Sequence, residues 1–115
     1  MSTQLVVKAS KSGKTSNLFL RAFGKDVKVI GMWESFSGWY WYITEKCEKQ
    51  DSVMSDGSVY EGDQIYFGFI QGLEEEWGYF AESQLQELKR KHMAWKVPKT
   101  NWTFAGRGDR LHETA

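Results

Sequence analysis

Cysteine and proline are almost absent from this sequence, which has one of each, Cys47 and Pro98, in 115 residues. One thiol cannot close an internal disulfide, so the fold has to be stabilised by its core. The first thirty residues contain no apolar core of a signal peptide, and no stretch of about 20 apolar residues occurs anywhere. These absences together predict a cytoplasmic protein without a membrane segment.

Histidine is scarce as well. His92 and His112 lie far in sequence from Cys47 and from each other, whereas a metal site needs several His, Cys or carboxylate ligands at convergent spacing. Nucleophilic catalysis needs a serine, threonine or cysteine beside a base, and neither histidine is placed for that. The acidic residues Glu61 and Asp63 flank a glycine, which is typical of a turn. The sequence therefore predicts no catalytic residues, no metal and no cofactor.

Acidic and basic residues balance over the whole chain, with 15 of each, but they are segregated along it. Residues 1–33 carry six basic and one acidic residue, residues 34–87 two and twelve, and residues 88–115 seven and two. The net charges of these blocks are +5, −10 and +5. Segregation of this kind indicates an interaction surface. The alternative is that folding brings the opposite blocks together, where they neutralise one another.

Aromatic residues make up 16% of the chain and include six tryptophans, so aromatic area has to supply much of the folding free energy. Runs of aromatic and β-branched residues separated by turn signals predict strands. Such strands are expected at residues 4–9, 17–23, 25–33, 37–45 and 64–70. The polar stretch of residues 46–63 is expected to be a loop or an irregular hairpin.

One helix is predicted at residues 81–93, where Leu85, Leu88 and His92 recur at the spacing of a single helical stripe. Strands followed by a helix predict an α+β fold, with a mainly antiparallel twisted sheet of about five strands and the helix packed on one face. We expect a single domain over residues 1–105 and a flexible tail over residues 106–115.

The stretch SGWYWYITE at residues 37–45 has four consecutive aromatic residues, which a strand divides between two faces. Side chains alternate across a strand, so Trp39, Trp41 and Ile43 share one face, whereas Tyr40 and Tyr42 share the other. We expect the tryptophan face to pack against the helix.

The next strand divides in the same way. Its apolar positions are Ile65, Phe67 and Phe69. If these join the tryptophan face, Tyr66 lies beside Tyr40 and Tyr42 on the opposite face. That tyrosine face is either exposed as a binding surface or covered by the N-terminal hairpin or by the segment around Trp95, Trp102 and Phe104.

Two blocks of the chain resemble a known family. Residues 41–45 read WYITE and residues 65–80 read IYFGFIQGLEEEWGYF, followed by a helix that contains Leu85. They are similar to the W-Y-V-T-E and F-F-G-L-V-x-G-x-E-x-E-x-G-Y-F-S signatures of a small domain family of unknown function, carried by bacterial plasmids, integrative elements and phages. The resemblance covers residues 39–90. Ala81 stands where the family has serine, which removes a helix N-cap.

The resemblance implies an accessory protein of a mobile element without an assigned catalytic activity. By analogy with other small proteins of such elements, it implies an inhibitor of host defence of the anti-CRISPR or anti-restriction type. We expect the partner to be a host or element-encoded protein, such as a nucleic-acid-binding defence complex whose basic surface attracts the acidic block. The predicted contact residues are Tyr40, Tyr42, Tyr66, Glu74, Glu75 and Glu76.

A single-stranded nucleic-acid binder is the alternative hypothesis. The same tyrosines would act as stacking platforms, and basic side chains would follow the phosphates. Those basic residues are Lys89, Arg90, Lys91, Lys96 and Lys99. The sequence pI is about 6.7, whereas nucleic-acid-binding domains are usually basic. A protein partner is therefore the first hypothesis.

Overall fold

The computed structural model of the protein describes residues 4–9, 16–98 and 111–114. These ranges form eleven strands and one helix, α1, at Glu82–Arg90. The strands are β1 Gln4–Ala9, β2 Ser16–Ala22, β3 Lys25–Lys28, β4 Gly31–Ser35, β5 Tyr40–Lys46, β6 Gln50–Val53, β7 Val59–Asp63, β8 Ile65–Gln71, β9 Glu75–Ala81, β10 Ala94–Lys96 and β11 Leu111–Thr114.

A five-stranded antiparallel sheet in the order β10-β4-β5-β8-β9, the central sheet, organises the fold. A four-stranded sheet in the order β11-β1-β2-β3, the N-terminal sheet, packs against one face of it, and α1 packs against the other. β6 and β7 form a separate ribbon with an irregular register. The predicted α+β class, with a mainly antiparallel sheet and one helix in the C-terminal half, is confirmed. The expectation of about five strands describes the central sheet alone.

Between the central sheet and α1 lies the helix-side cluster of buried side chains. It consists of Trp33, Trp41, Ile43, Tyr66, Phe80, Leu85 and Ala94. Leu88 and Trp39 pack against this cluster, so the predicted contact between the tryptophan face and the helical stripe is confirmed. His92 does not belong to the stripe. It is exposed and has a φ of 57°, because the helix has already ended at Arg90.

On the opposite face of the central sheet lies the N-terminal cluster. It consists of Leu18, Leu20, Val29, Met32, Tyr42, Phe69 and Val97. Leu18 and Leu20 come from β2, and each is completely buried. Burial of one such side chain stabilises the fold by about 1.5–3 kcal/mol. The two clusters make the central sheet the middle layer of the structure.

The chain passes from the N-terminal sheet to the central sheet between β3 and β4. The N–H of Val29 donates to the carbonyl of Leu18 in β2 (2.9 Å), whereas the N–H of Ile30 donates to the carbonyl of Ile43 in β5 (2.7 Å). The prediction of one strand over residues 25–33 is therefore wrong. Alternation identifies the faces of a strand but carries no information about which sheet each residue joins.

The predicted tail, residues 106–115, lies partly outside the described residues. Residues 111–114 form β11, which pairs in parallel with β1 and places Leu111 opposite Leu5. The expectation of a loose tail is wrong for these four residues, because they join the sheet as an edge strand. The pairing of β1 with β11 joins distant parts of the chain, so no local sequence pattern predicts it.

α1 begins without an N-cap side chain of its own, since Ala81 offers no acceptor. The side chain of Gln84 accepts a hydrogen bond from the N–H of Ala81 at 3.0 Å. The carboxylate of Asp63, at the end of β7, accepts from the N–H of Ser83 at 3.0 Å and also from the hydroxyl of Ser83. A residue from another element therefore supplies the missing cap.

Candidate functional site

Tyr40 and Tyr42 lie beneath the N-terminal sheet. Tyr42 is 0% exposed in one cluster with Leu18 and Leu20, and its hydroxyl donates to Oε1 of Gln71 at 2.8 Å. Tyr40 is partly buried and stacks on Tyr42, with ring centroids 6.1 Å apart. The sequence leaves two alternatives for the tyrosine face, which is either exposed or covered. In the structure, the N-terminal hairpin covers Tyr40 and Tyr42. Tyr42 is therefore a core residue.

Tyr66 lies on the opposite face of the central sheet from Tyr42. Tyr42 stands directly opposite Phe69, and residues directly opposite in an antiparallel pair share a face. Phe67 and Phe69 therefore accompany Tyr42, while Tyr66 joins Phe80 in the helix-side cluster. The expectation that the three tyrosines share a face is wrong, because alternation alone does not fix the register between strands.

Two ionisable groups on the helix side, Tyr66 and the nearby Asp63, have shifted pKa values. Burial and the carboxylate of Glu82 raise the pKa of Tyr66 to about 12, so the phenol stays protonated at neutral pH. Burial raises the pKa of Asp63, but hydrogen bonds from Ser52 and Ser83 lower it by more, so it lies below its ordinary value of 3.8. The raised pKa of Tyr66 lies far from the range in which a side chain transfers protons efficiently near pH 7, and the pKa of Asp63 is shifted away from that range.

The three predicted acidic contact residues belong to the β8–β9 hairpin but point in different directions. Glu74 lies in the turn and is exposed. Glu75 begins β9 on the same face as Trp77, whereas Glu76, one residue later, points to the other face. They surround the end of the hairpin instead of forming one patch.

The predicted basic residues lie on the helix side of the central sheet, or outside the described residues in the case of Lys99. Lys89 and Arg90 occupy the last turn of α1, where cations complement the helix dipole. Lys91 pairs with Glu87 at 3.5 Å, and Lys96 lies in β10. The structure does not bring Lys89, Arg90, Lys91 or Lys96 together with Tyr40 and Tyr42, which lie on the other face.

A row of three side chains that the sequence did not predict crosses three strands of the central sheet, with Glu45 and Tyr79 exposed and Phe67 partly buried. Glu45 stands opposite Phe67, and Phe67 stands opposite Tyr79. A β-bulge between Ile43 and Glu45 brings the carboxylate to this position, where unbroken alternation would have placed Thr44. The rings of Phe67 and Tyr79 meet edge to face at 5.0 Å, and Tyr79 is 71% exposed.

Phe23 extends this row from the N-terminal sheet. Its ring contacts that of Trp77 at a centroid distance of 5.8 Å, and Trp77 stacks on Phe67 at 5.9 Å. Phe23 is 69% exposed in the two-residue turn between β2 and β3, with a φ of 55°. We name Phe23, Phe67, Trp77 and Tyr79 the aromatic surface.

The turn conformation of Phe23 is unfavourable for its residue type. Phe23 and Gly24 both have positive φ, the signature of a type I′ turn, whose first central position favours asparagine, aspartate or glycine. A left-handed backbone at a residue with a bulky side chain costs about 1–2 kcal/mol. The ring contact with Trp77 offsets part of this cost, and Phe23 nevertheless stays 69% exposed, which favours a role in binding.

A separate groove of about 240 Å³ lies beside the end of α1. Phe36, Trp39, Leu88 and Met93 supply its apolar lining. Trp39 closes one side, and its ring packs so tightly on Gly72 that a Cβ there would lie 2.5 Å from it. Phe36 is 68% exposed, so this groove and the aromatic surface each present an accessible phenylalanine.

The described residues contain neither a candidate metal site nor a candidate membrane-spanning helix. Within residues 4–9, 16–98 and 111–114, no group of three or more His, Cys, Asp or Glu side chains is placed to hold a metal ion. In the same part of the chain, no helix combines the length and the apolar character needed to cross a membrane.

Comparison of the chain with protein-family models, with curated proteins and with solved structures finds no match. The resemblance of residues 41–45 and 65–80 to a mobile-element family therefore stays a prediction. The assignment of function depends on the geometry of the site.

Proposed function

We propose that this protein is a binding module that recognises another protein through the aromatic surface and has no catalytic role of its own. The observation that carries the proposal is the continuous contact of Phe23, Trp77, Phe67 and Tyr79, from the β2–β3 turn across β9 and β8, with the first and last of them mostly exposed. Aromatic side chains are enriched in protein interfaces and supply many of their strongest contacts.

The packing of the surface supports this assignment. Phe67 and Trp77 are partly buried and are held by neighbouring rings, so they lose little conformational entropy when a partner binds. Phe23 and Tyr79 stand at the two ends, where they retain contact area for a partner. A preorganised aromatic centre between exposed aromatic ends is typical of a binding surface.

The setting of the protein is the second part of the proposal. The resemblance of residues 41–45 and 65–80 favours an accessory protein of a phage or plasmid, active in the cytoplasm. Inhibition of host defence, of the anti-CRISPR or anti-restriction type, is the activity that this setting favours. The partner is then a host or element-encoded protein that presents a surface to the β8–β9 edge.

Affinity capture from a bacterial lysate, followed by mass spectrometry, tests the proposal. We expect the parent protein to retain a specific partner that a variant with both Phe23→Ser and Tyr79→Ser loses. Phe36→Ser is the matched control, because Phe36 is as exposed as Phe23 (68% against 69%) but lies at the other groove. A partner retained equally by the double variant, with folding of all three proteins verified by circular dichroism, would contradict the proposal.

A further inference from the structure

We infer that the aromatic surface takes a cationic, extended segment of its protein partner, with arginine side chains lying over the rings and pairing with Glu45. The inference rests on the proposed function and specifies the chemistry of the partner. Its basis is the register that places the exposed carboxylate of Glu45 beside the rings of Phe67 and Tyr79 on one face of the central sheet.

The geometry of the row suits a guanidinium group. Neighbouring strands lie about 4.8 Å apart, so Glu45, Phe67 and Tyr79 span about 10 Å across β5, β8 and β9. The planar guanidinium stacks on aromatic faces and at the same time donates hydrogen bonds to a carboxylate. A cation within about 6 Å of a ring centroid gains about 0.5–2 kcal/mol, the larger value when water is excluded.

The bulge in β5 gives this row its charge. Without the extra residue, strand alternation would place the neutral hydroxyl of Thr44 opposite Phe67. Instead, Thr44 donates its hydroxyl hydrogen bond to the carbonyl of Phe67 at 3.0 Å, and the exposed carboxylate of Glu45 takes the position on the face. A local break in the sheet thus supplies an anion at one end of the aromatic row.

The surrounding charges favour a cationic ligand over nucleic acid. The acidic turn of the β8–β9 hairpin lies at the other end of the same two strands, beyond the Gln71–Glu75 pair, and residues 34–87 carry a net charge of −10. Of the basic residues near Phe23, Arg21 pairs with Asp26 at 3.3 Å, which leaves Lys25 beside the turn. Lys46 stands opposite Tyr66 and so belongs to the helix side. A phosphate backbone would meet repulsion here, whereas a basic segment is attracted.

Fluorescence anisotropy with labelled peptides tests the inference. The probe is a nonapeptide of alternating arginine and threonine, which places successive arginines on one side of an extended chain. Its control carries citrulline in place of arginine, which keeps the planar shape and removes the charge. At about 50 mM salt we expect the arginine peptide to bind at least about tenfold more tightly than the citrulline peptide.

Variants assign the binding to the row. We expect Tyr79→Ser and Glu45→Gln each to weaken binding of the arginine peptide about threefold to tenfold. Phe36→Ser should leave it unchanged, because Phe36 belongs to the other groove. Failure of the arginine peptide to bind, equal binding of the citrulline peptide, or tighter binding of a labelled oligothymidine would each overturn the inference.

The outcomes separate this inference from the proposed function. If the double variant with Phe23→Ser and Tyr79→Ser loses its captured partner while both peptides bind the parent protein equally, the binding module stands and the cationic ligand is refuted. If capture is the same for the double variant and the parent, the proposed function itself fails.

Discussion

The carboxylate of Asp63 accepts hydrogen bonds from both the backbone N–H and the hydroxyl of Ser83, so the last residue of β7 caps the first turn of α1. Asp63 and Ser83 are both buried. In most helices the cap comes from the residue just before the first turn, but here that residue is Ala81. The cap therefore depends on the β6–β7 ribbon being in place, which couples the ribbon to the helix.

Asp63→Ala should destabilise the protein by about 1–3 kcal/mol, since it leaves two buried donors of Ser83 without their acceptor. Urea unfolding followed by tryptophan fluorescence measures the loss. Asp56→Ala is the matched control, because Asp56 also accepts from the N–H and the hydroxyl of one serine, Ser58, but in an exposed turn. Equal losses for the two variants would show that burial of the cap contributes nothing.

The same contact should make stability depend on pH in the acid range. The pKa of Asp63 is lower in the folded protein than in the unfolded chain, so the unfolded chain binds the proton more readily. The stabilisation is fully present above the unfolded value of 3.8 and is lost as the pH falls through the lower, folded pKa. Urea unfolding of the parent and of Asp63→Asn should therefore give a difference in stability that shrinks below about pH 4. A difference that stays constant down to acid denaturation would contradict the assignment.

Gly68→Ala should cost more than about 2 kcal/mol, because its Cβ would overlap the carbonyl oxygen of Tyr42 in the neighbouring strand and the backbone would have to move. Gly78 stands directly opposite Gly68, and a Cβ there meets no described atom within 4 Å. Gly78→Ala should be neutral or stabilising by up to about 1 kcal/mol. Thermal unfolding of the two variants, side by side, checks both directions. A similar loss for each would mean that glycine is required for another reason.

Phe23→Asn should leave the protein as stable as the parent, or more stable by up to about 1 kcal/mol, while it weakens partner capture. Asparagine tolerates the left-handed backbone of this turn better than phenylalanine does, and this gain offsets the lost ring contact with Trp77. Tyr79→Asn is the comparison variant. It also removes an exposed ring, but from a strand position where no left-handed backbone is relieved. Urea unfolding combined with the capture experiment measures both effects. A loss above about 1 kcal/mol for Phe23→Asn would show that the ring serves stability.

The fold class could be predicted from the sequence because it depends on local periodicity. Alternation in residues 37–45 separated Trp41 from Tyr42 correctly, and the helical spacing of Leu85 and Leu88 identified the face that packs on the sheet. The passage at Val29 and Ile30 could not be predicted, since consecutive residues in one alternating run bond to different sheets. Periodicity reports which way a side chain points, and it leaves the neighbouring strand undetermined.

The candidate site could not be predicted for the same reason. Glu45, Phe67 and Tyr79 are separated by 22 and 12 residues in the sequence and meet only through the register of three strands and one bulge. The signals that existed were indirect: an aromatic residue before Gly24 in a tight turn, and the alternating rings of Trp77 and Tyr79 after an acidic turn. The sequence favours Tyr40, Tyr42 and Tyr66 as contact residues because aromatic residues are so frequent in these strands. In the structure, Tyr42 and Tyr66 are buried in the core.

The short passage between β3 and β4 also sets the order in which the molecule can assemble. Only Val29 and Ile30 separate the two strands, so β2 to β5 gather through contacts between near neighbours, at small cost in loop-closure entropy. Pairing of β1 with β11 brings together opposite ends of the chain, a far slower search. The part of the N-terminal cluster that β2 to β5 supply, including Leu18, Leu20, Met32 and Tyr42, should therefore form first during refolding, with β11 added to the N-terminal sheet later.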